Sequence, residues 1–144
     1  RYLSARFPHP YTEADADAWF AYLASSSATC NWALEVDDGA VGGIGLRLGE
    51  GEMAHLAELG YWLGEAYWGR GIVSAAVRAL LPAVVPAFGL QRIQAYAATI
   101  NPGSIRVLEK AGFEREGLMR RRAIRDGVAQ DHVVFARLFS PLAP

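Results

Sequence analysis

The chain has 144 residues, 52% of them hydrophobic, enough for one well-cored domain spanning 1–144 and too few for two of ordinary size. Its formal net charge of -1, with acids and bases mixed along the chain, offers no basic field that would hold nucleic acid. No apolar run reaches the ~18 residues of a membrane span and the opening Arg1-Tyr2-Leu3-Ser4 lacks a signal-peptide core, so a soluble cytoplasmic protein with no membrane partner is expected.

After an opening punctuated by Pro8 and Pro10, Thr12 with Asp15 three residues on has the pattern of a capping box, in which short polar side chains satisfy amides at a helix start. A helix from about Glu13 to Ala24 follows, with Ala16, Trp19, Phe20 and Leu23 on one face. Cys30 to Val36 and Ala40 to Leu48 read as antiparallel strands around Asp37-Asp38-Gly39, whose Asp-Gly step suits a hairpin turn needing positive φ. Gly49 to Glu52 reads as a loop and His55 to Leu63 as the next strand. From Gly71 to Phe88 the residues Ile72, Val73, Ala76, Val77, Leu80, Leu81 and Val84 recur close to helical spacing. Pro82 and Pro86 each remove an amide donor and clash with the carbonyl four residues back, which predicts a kink or stop near Leu81 and a turn beyond it. Arg92 to Ala98 is a strand, Ser104 to Ala111 a short helix closed by Gly112, and Leu118–Arg125 with Val128–Leu138 a hairpin around Asp126-Gly127. Helix, three strands, helix, strand, helix and two strands predict an α+β domain, a mixed sheet covered by helices.

The chemically informative stretch is strand, short loop, glycine-rich turn and helix: Glu58-Leu59-Gly60-Tyr61-Trp62-Leu63, Gly64 to Tyr67, then Trp68-Gly69-Arg70-Gly71-Ile72-Val73-Ser74. Gly69 and Gly71 allow the backbone close to a ligand, and the first helical turn presents unpaired amides at the positive end of the dipole. That combination suits phosphate or pyrophosphate. The alternative is a glycine-rich connection that binds nothing. Neither a Walker loop nor a dinucleotide fingerprint fits, since there is no Gly-Lys-Ser/Thr ending and no second βαβ unit. Gly42-Gly43-Ile44-Gly45 looks like part of a dinucleotide motif but sits inside a strand with no helix after it, so close packing or a bulge is the expected reading. The single cysteine, Cys30, cannot make an internal disulfide, and His9, His55 and His132 lie too far apart for metal-ligand spacing; neither disulfide nor metal is expected.

Tyr61-Trp62-Leu63 followed by Trp68-Gly69-Arg70-Gly71, then Asn101-Pro102-Gly103-Ser104 and Glu109-Lys110-Ala111-Gly112-Phe113, resemble the Gcn5-related N-acetyltransferases, and most closely the branch that acetylates the N-termini of ribosomal proteins. The resemblance runs from about Tyr11 to Leu138. It implies acetyl-CoA as cosubstrate, with the backbone of Tyr61, Trp62 and Leu63 pairing with the pantetheine arm. Amides of the segment from Trp68 through Gly69, Arg70, Gly71, Ile72 and Val73 to Ser74 would hold the pyrophosphate. The Asn101 side chain would bond the pantetheine, and the Ser104 hydroxyl would lie near the sulfur as a general acid. Ser104 could equally be the N-cap of the short helix. The family signature has Gln or Arg where this chain has Trp68, and Gly or Ala where it has Val73, whose branched side chain would come close to the pyrophosphate. Family members also open with a strand and a helix ahead of the segment seen here as Pro10 to Glu13; the chain is expected to lack them, and with them part of the acceptor groove.

The reaction implied is attack of a neutral amine on the thioester, with backbone donors near Trp62 or Leu63 facing the oxyanion. At pH 7.5 an α-amine of pKa ~7.8 is roughly one-third neutral and a lysine of pKa ~10.4 only about 0.1%, so a weak base suffices for N-termini. Glu58, three residues before Tyr61, is the first candidate base, Asp131 the second and Glu35 the third, each with a plain structural role as its alternative. Rival readings are acetylation of a small-molecule amine and a non-catalytic acyl-CoA-binding module; a homodimer is left open. Arg120, Arg121, Arg122 and Arg125 have the charge to attract an acidic peptide, but alternate strand residues face opposite sides and a solvated edge is expected. Trp19, Phe20, Tyr22 and Trp32 are expected in the core.

Overall fold

The computed structural model describes residues 10–26 and 28–140; the opening at Pro8 lies outside them. In chain order the elements are α1 (Glu13–Ser25), β1 (Thr29–Val36), β2 (Gly39–Leu48), β3 (Leu56–Leu63), α2 (Ile72–Ala87), β4 (Arg92–Ala98), α3 (Pro102–Lys110), β5 (Glu114–Arg125) and β6 (Val128–Leu138). Short 3-10 turns occupy Gly51–Met53 and Glu65–Tyr67. The described strands form one sheet ordered β1-β2-β3-β4-β6-β5, antiparallel except where β3 meets β4. This is the α+β arrangement expected, with strand bounds within a few residues of the sequence reading.

One face of the sheet is the core. Alternation along β4 buries Ile93, Ala95 and Ala97 together with Val73, Val77, Leu81 and Val84 of α2 and Leu108 of α3. The opposite face, which carries Glu58, Gly60, Gln94 and Tyr96, is more open and is called the front face below. On β2, an added side-chain carbon at Gly42 would stand 2.5 Å from the Trp62 carbonyl oxygen, and one at Gly43 would stand 2.7 Å from the Trp62 indole nitrogen. The glycines inside this strand therefore serve close packing, as expected.

Three expectations are corrected. Helix α2 neither stops nor restarts at Leu81: it runs through both prolines. Pro82 and Pro86 are exposed, and the stripe Val73, Val77, Leu81 and Val84 stays buried along the whole helix. Burying each of those side chains contributes about 1.5–3 kcal/mol, which offsets a cost of about 3 kcal/mol per interior proline. The first hairpin turns one residue earlier than expected: Asp37 and Asp38, at φ 51° and 62°, are its two central residues, and Val36 pairs with Gly39. Helix α1 has the Thr12–Asp15 capping box but buries no residue, and Trp19, Phe20, Tyr22 and Trp32 are exposed instead of core. Trp19 and Tyr22 stack on each other, 5.6 Å between centroids, and α1 packs against β1.

Candidate active site

The site is organised by a defect in the sheet. Strands β3 and β4 pair in parallel only over Leu56, Ala57 and Glu58 with Arg92, Ile93 and Gln94. Beyond that each strand pairs outward, Gly60–Leu63 with Gly45–Gly42 of β2, and Ala95–Ala98 with Phe135–His132 of β6. The facing edges of the two strands separate, and their backbone groups face a split instead of each other. Backbone donors and acceptors must be paired somewhere, so such an edge is a template for an extended ligand. Tyr61, Trp62 and Leu63 lie on this edge.

Two helices begin beside the split. Trp68 bridges from β3 to α2: its indole N–H donates to the Leu63 carbonyl at 2.8 Å, which fixes the loop Gly64–Tyr67. Gly69 and Gly71 have φ of 73° and 76°, the left-handed region that glycine enters without strain. Open space surrounds both, since an added side-chain carbon would meet nothing within 4 Å. Gly71 is the N-cap of α2 and has no side chain to satisfy the amides that follow it. The first backbone bond of the helix is Ala75 N–H to the Gly71 carbonyl at 2.9 Å, leaving the amides of Ile72, Val73 and Ser74 ahead of it. Arg70 lies over the Tyr67 ring at 5.5 Å. Val73 does not stand over the turn: its side chain is turned into the core at 7% exposure. The residues present thus suit a diphosphate: an open glycine turn, three leading amides and the positive end of a 16-residue helix.

At α3 the sequence reading is corrected. The N-cap is Asn101, not Ser104: the Asn101 Oδ1 accepts the Ser104 backbone N–H at 3.1 Å, and Ser104 sits inside the first turn. This leaves the Ser104 hydroxyl for another task, and it meets the Tyr61 hydroxyl at 2.8 Å across the split. The Tyr61 hydroxyl also donates to the Ser104 carbonyl at 3.2 Å. Burial pushes the Tyr61 phenol up to about 12, with the Ser104 bond pulling the other way, so the phenol keeps its proton throughout the neutral range. No spacing rule would have found this pair, whose members are 43 residues apart.

On the front face, Glu58 and Gln94 stand side by side as the last paired residues before the split. The Glu58 carboxylate bonds Arg47 of the neighbouring strand at 2.5 Å. Asp131 is drawn away from the site: its carboxylate accepts the Arg121 N–H at 2.7 Å. Glu35 is exposed, on the outermost strand β1 and beside a bulge. Among the described residues no group of three His, Cys, Asp or Glu is placed to hold a metal ion, and no helix is long and apolar enough to cross a membrane.

Comparison with known proteins agrees with this geometry. The family model described as the acetyltransferase (GNAT) domain matches residues 1–114. A probable N-acetyltransferase of Bacillus subtilis, YjcK, is 44% identical over 82 residues, 57% of this chain and 45% of that protein. The ribosomal-protein-serine acetyltransferase of Escherichia coli is 33% identical over 82 residues, 57% of this chain and 46% of that protein. The chain spans about half the length of these curated relatives. Among solved structures, RimJ of Mycobacterium smegmatis in complex with CoA-disulfide superposes with a TM-score of 0.79 at 28% identity, over 87% of this chain and 61% of that one. On the family match, the split sheet and the open helix start, the chain belongs to the GNAT acetyltransferase family.

Proposed function

We propose that the protein transfers the acetyl group of acetyl-CoA to a primary amine by direct attack of the neutral amine on the thioester. The observation that carries this reading is the split between β3 and β4, with an uncapped helix start at one side and the Tyr61–Ser104 pair bridging it. In this reading the amides from Gly69 to Ser74 hold the pyrophosphate. The open edge of Tyr61, Trp62 and Leu63 takes the pantetheine amides, and the Asn101 side chain adds a donor from its Nδ2. Acetyl-CoA supplies an acyl group already activated as a thioester, so the chain has only to position, deprotonate and stabilise.

The Tyr61 phenol has one hydrogen for two nearby acceptors, the Ser104 carbonyl and the Ser104 Oγ. When it donates to Oγ, the Ser104 hydroxyl is left to donate to the departing sulfur; when it donates to the carbonyl, Oγ donates back to the phenol. Ser104 is thus a general acid whose readiness Tyr61 controls. Glu58, on the front face at the last paired position, takes the proton of the incoming ammonium directly or through water. An α-amine needs the least from such a base. That favours a peptide N-terminus or a small α-amine over lysine, and the relative named for ribosomal-protein serine acetylation supports the peptide.

The test mixes the full chain with acetyl-CoA and a panel of N-terminal peptides and small amines and follows thiol release. Turnover of at least one acceptor is expected, with a higher melting temperature in acetyl-CoA and nearly the same shift in CoA. Stabilisation of about 2.7 kcal/mol corresponds to ligand at one hundred times its dissociation constant. Unchanged melting in millimolar acetyl-CoA would remove the cosubstrate assignment, and binding without turnover across the panel would make the chain a non-catalytic acyl-CoA-binding module.

A further inference from the structure

Strand β5 breaks register against β6 between Met119 and Ala123. Met119 pairs with His132 and Ala123 with Gln130, so four steps along β5 match two along β6. The three residues of this bulge are Arg120, Arg121 and Arg122. Arg121 takes a left-handed φ of 51°, and the Asp131 carboxylate holds its N–H at 2.7 Å. The bulge is therefore pinned, and it changes where the next side chain goes. Arg122 reaches from the outermost strand over β6 to β4, where its guanidinium carbon lies 4.0 Å from the centre of the Tyr96 ring.

Tyr96 lies on the front face, two residues and about 7 Å beyond Gln94, where β3 has already left β4. Its hydroxyl accepts from the Gln94 Nε2 at 3.0 Å. Gln94, Tyr96 and Arg122 therefore form a contacting row across the mouth of the split, and Glu58, beside Gln94 in register and bonded to Arg47, stands at its far end. The row is acidic at one end and basic at the other. Arg122 joins no ion pair among the described residues, whereas Arg47, Arg92, Arg115 and Arg125 do. A guanidinium stacked on an aromatic face keeps its edge N–H groups, which match a carboxylate in bidentate geometry. His132 lies on the same face; burial pushes its imidazole below the ordinary value, Gln130 opposes this, Arg122 adds to it and Asp131 opposes it, so the ring adds no competing cation at neutral pH.

We propose that Arg122, seated on Tyr96 at the mouth of the split, anchors a carboxylate carried by the acceptor amine. The inference rests on the acetyl-transfer reading for the position of the amine, which Glu58 receives at the other end of the row. The shared chemistry is an amine and a carboxylate on one molecule, as in a free amino acid or in a peptide with an acidic residue next to its N-terminus.

Matched acceptor pairs test it: an amino acid against its amide, and a short peptide with Asp or Glu at its second position against the same peptide with Asn or Gln. With wild type, kcat/KM should favour the carboxylate member of at least one pair by roughly 10- to 100-fold, the range of one charge-assisted bond. The pair that shows the preference identifies the source of the carboxylate. Arg122→Gln should abolish the preference while leaving acetyl-CoA affinity and turnover of the uncharged member unchanged, and Arg122→Lys should retain part of it. No preference in either pair, or equal loss for both members in Arg122→Gln, would overturn the proposal. If no acceptor turns over, the transfer reading fails by itself, and calorimetry of the same pairs on the CoA-loaded protein decides this one. A carboxylate preference lost in Arg122→Gln supports it, and its absence in wild type overturns it.

Discussion

Helices α2 and α3 both begin beside the split, and their first turns are finished differently. At α3 the chain closes the turn with its own atoms: Asn101 accepts the Ser104 N–H, and Pro102 has no amide to satisfy. At α2 the cap is Gly71, which has no side chain, and the amides that follow must find water or an anion. The difference separates two demands on a helix start. α3 must hold Ser104 at a fixed distance from Tyr61, so its turn is tied internally. In the proposed reading α2 receives a charged group, and its turn is left open.

The sharpest way to break this contrast is to fill the open turn with charge. Gly71→Asp and Gly71→Asn both enter the left-handed region at a cost of order 1 kcal/mol and meet no neighbour, so they differ chiefly by one negative charge. Acetyl-CoA affinity is expected to fall roughly 100-fold for Asp and less than about 10-fold for Asn, measured by calorimetry. Equal losses would mean that the α2 amides do not hold the diphosphate.

The next effect is on the closed turn. Ser104→Ala should lower kcat about 10- to 100-fold with acetyl-CoA affinity nearly intact, because the lost bond forms mainly in the transition state. Tyr61→Phe should cost less, since Ser104 keeps its hydroxyl. A Ser104→Ala enzyme with wild-type kcat would reduce the pair to a structural brace. Removing the cap itself is a smaller matter: Asn101→Ala should destabilise the fold by about 1 kcal/mol in urea unfolding, and Asn101→Asp should restore most of it.

The effect that leaves the neutral range untouched shows only in alkali. Because the folded Tyr61 phenol is raised to about 12 from its ordinary 10.0, the unfolded chain releases this proton first. The phenol's contribution to stability is complete below pH 10 and is lost as pH rises toward 12. Urea midpoints followed over that range should fall less steeply in Tyr61→Phe than in wild type.

The order of elements was legible because apolar periodicity and turn residues are local. The bounds Arg92–Ala98 of β4 agree with the sequence reading, and the glycine turn before α2 announced itself through Gly69 and Gly71. What was not legible depended on partners far along the chain. Pro82 and Pro86 argued for a break in α2, yet the buried stripe beneath them holds the helix together. Of the two readings open for Ser104, the cap falls only because Asn101 beside it takes that place, and its bond to Tyr61 joins residues far apart in the chain. The alternation rule sent neighbouring arginines of the last hairpin to opposite faces, and it fails at the wider of the two places where β5 slips against β6, between Met119 and Ala123. The aromatics of α1 looked like core by composition, but Phe20 is 65% exposed, since burial depends on what packs over a helix face and not on its residues alone.

The bulge in β5 has a second consequence at the edge of the sheet. A long outer strand offers its unpaired backbone to any other extended chain, which makes it a starting point for aggregation. Here the ladder of β5 is interrupted midway by Arg120, Arg121 and Arg122. A foreign strand zipping along β5 would lose register at the slip and bring its own backbone against several positive charges. The same three residues that aim Arg122 inward should therefore keep the outermost strand from recruiting a stray chain.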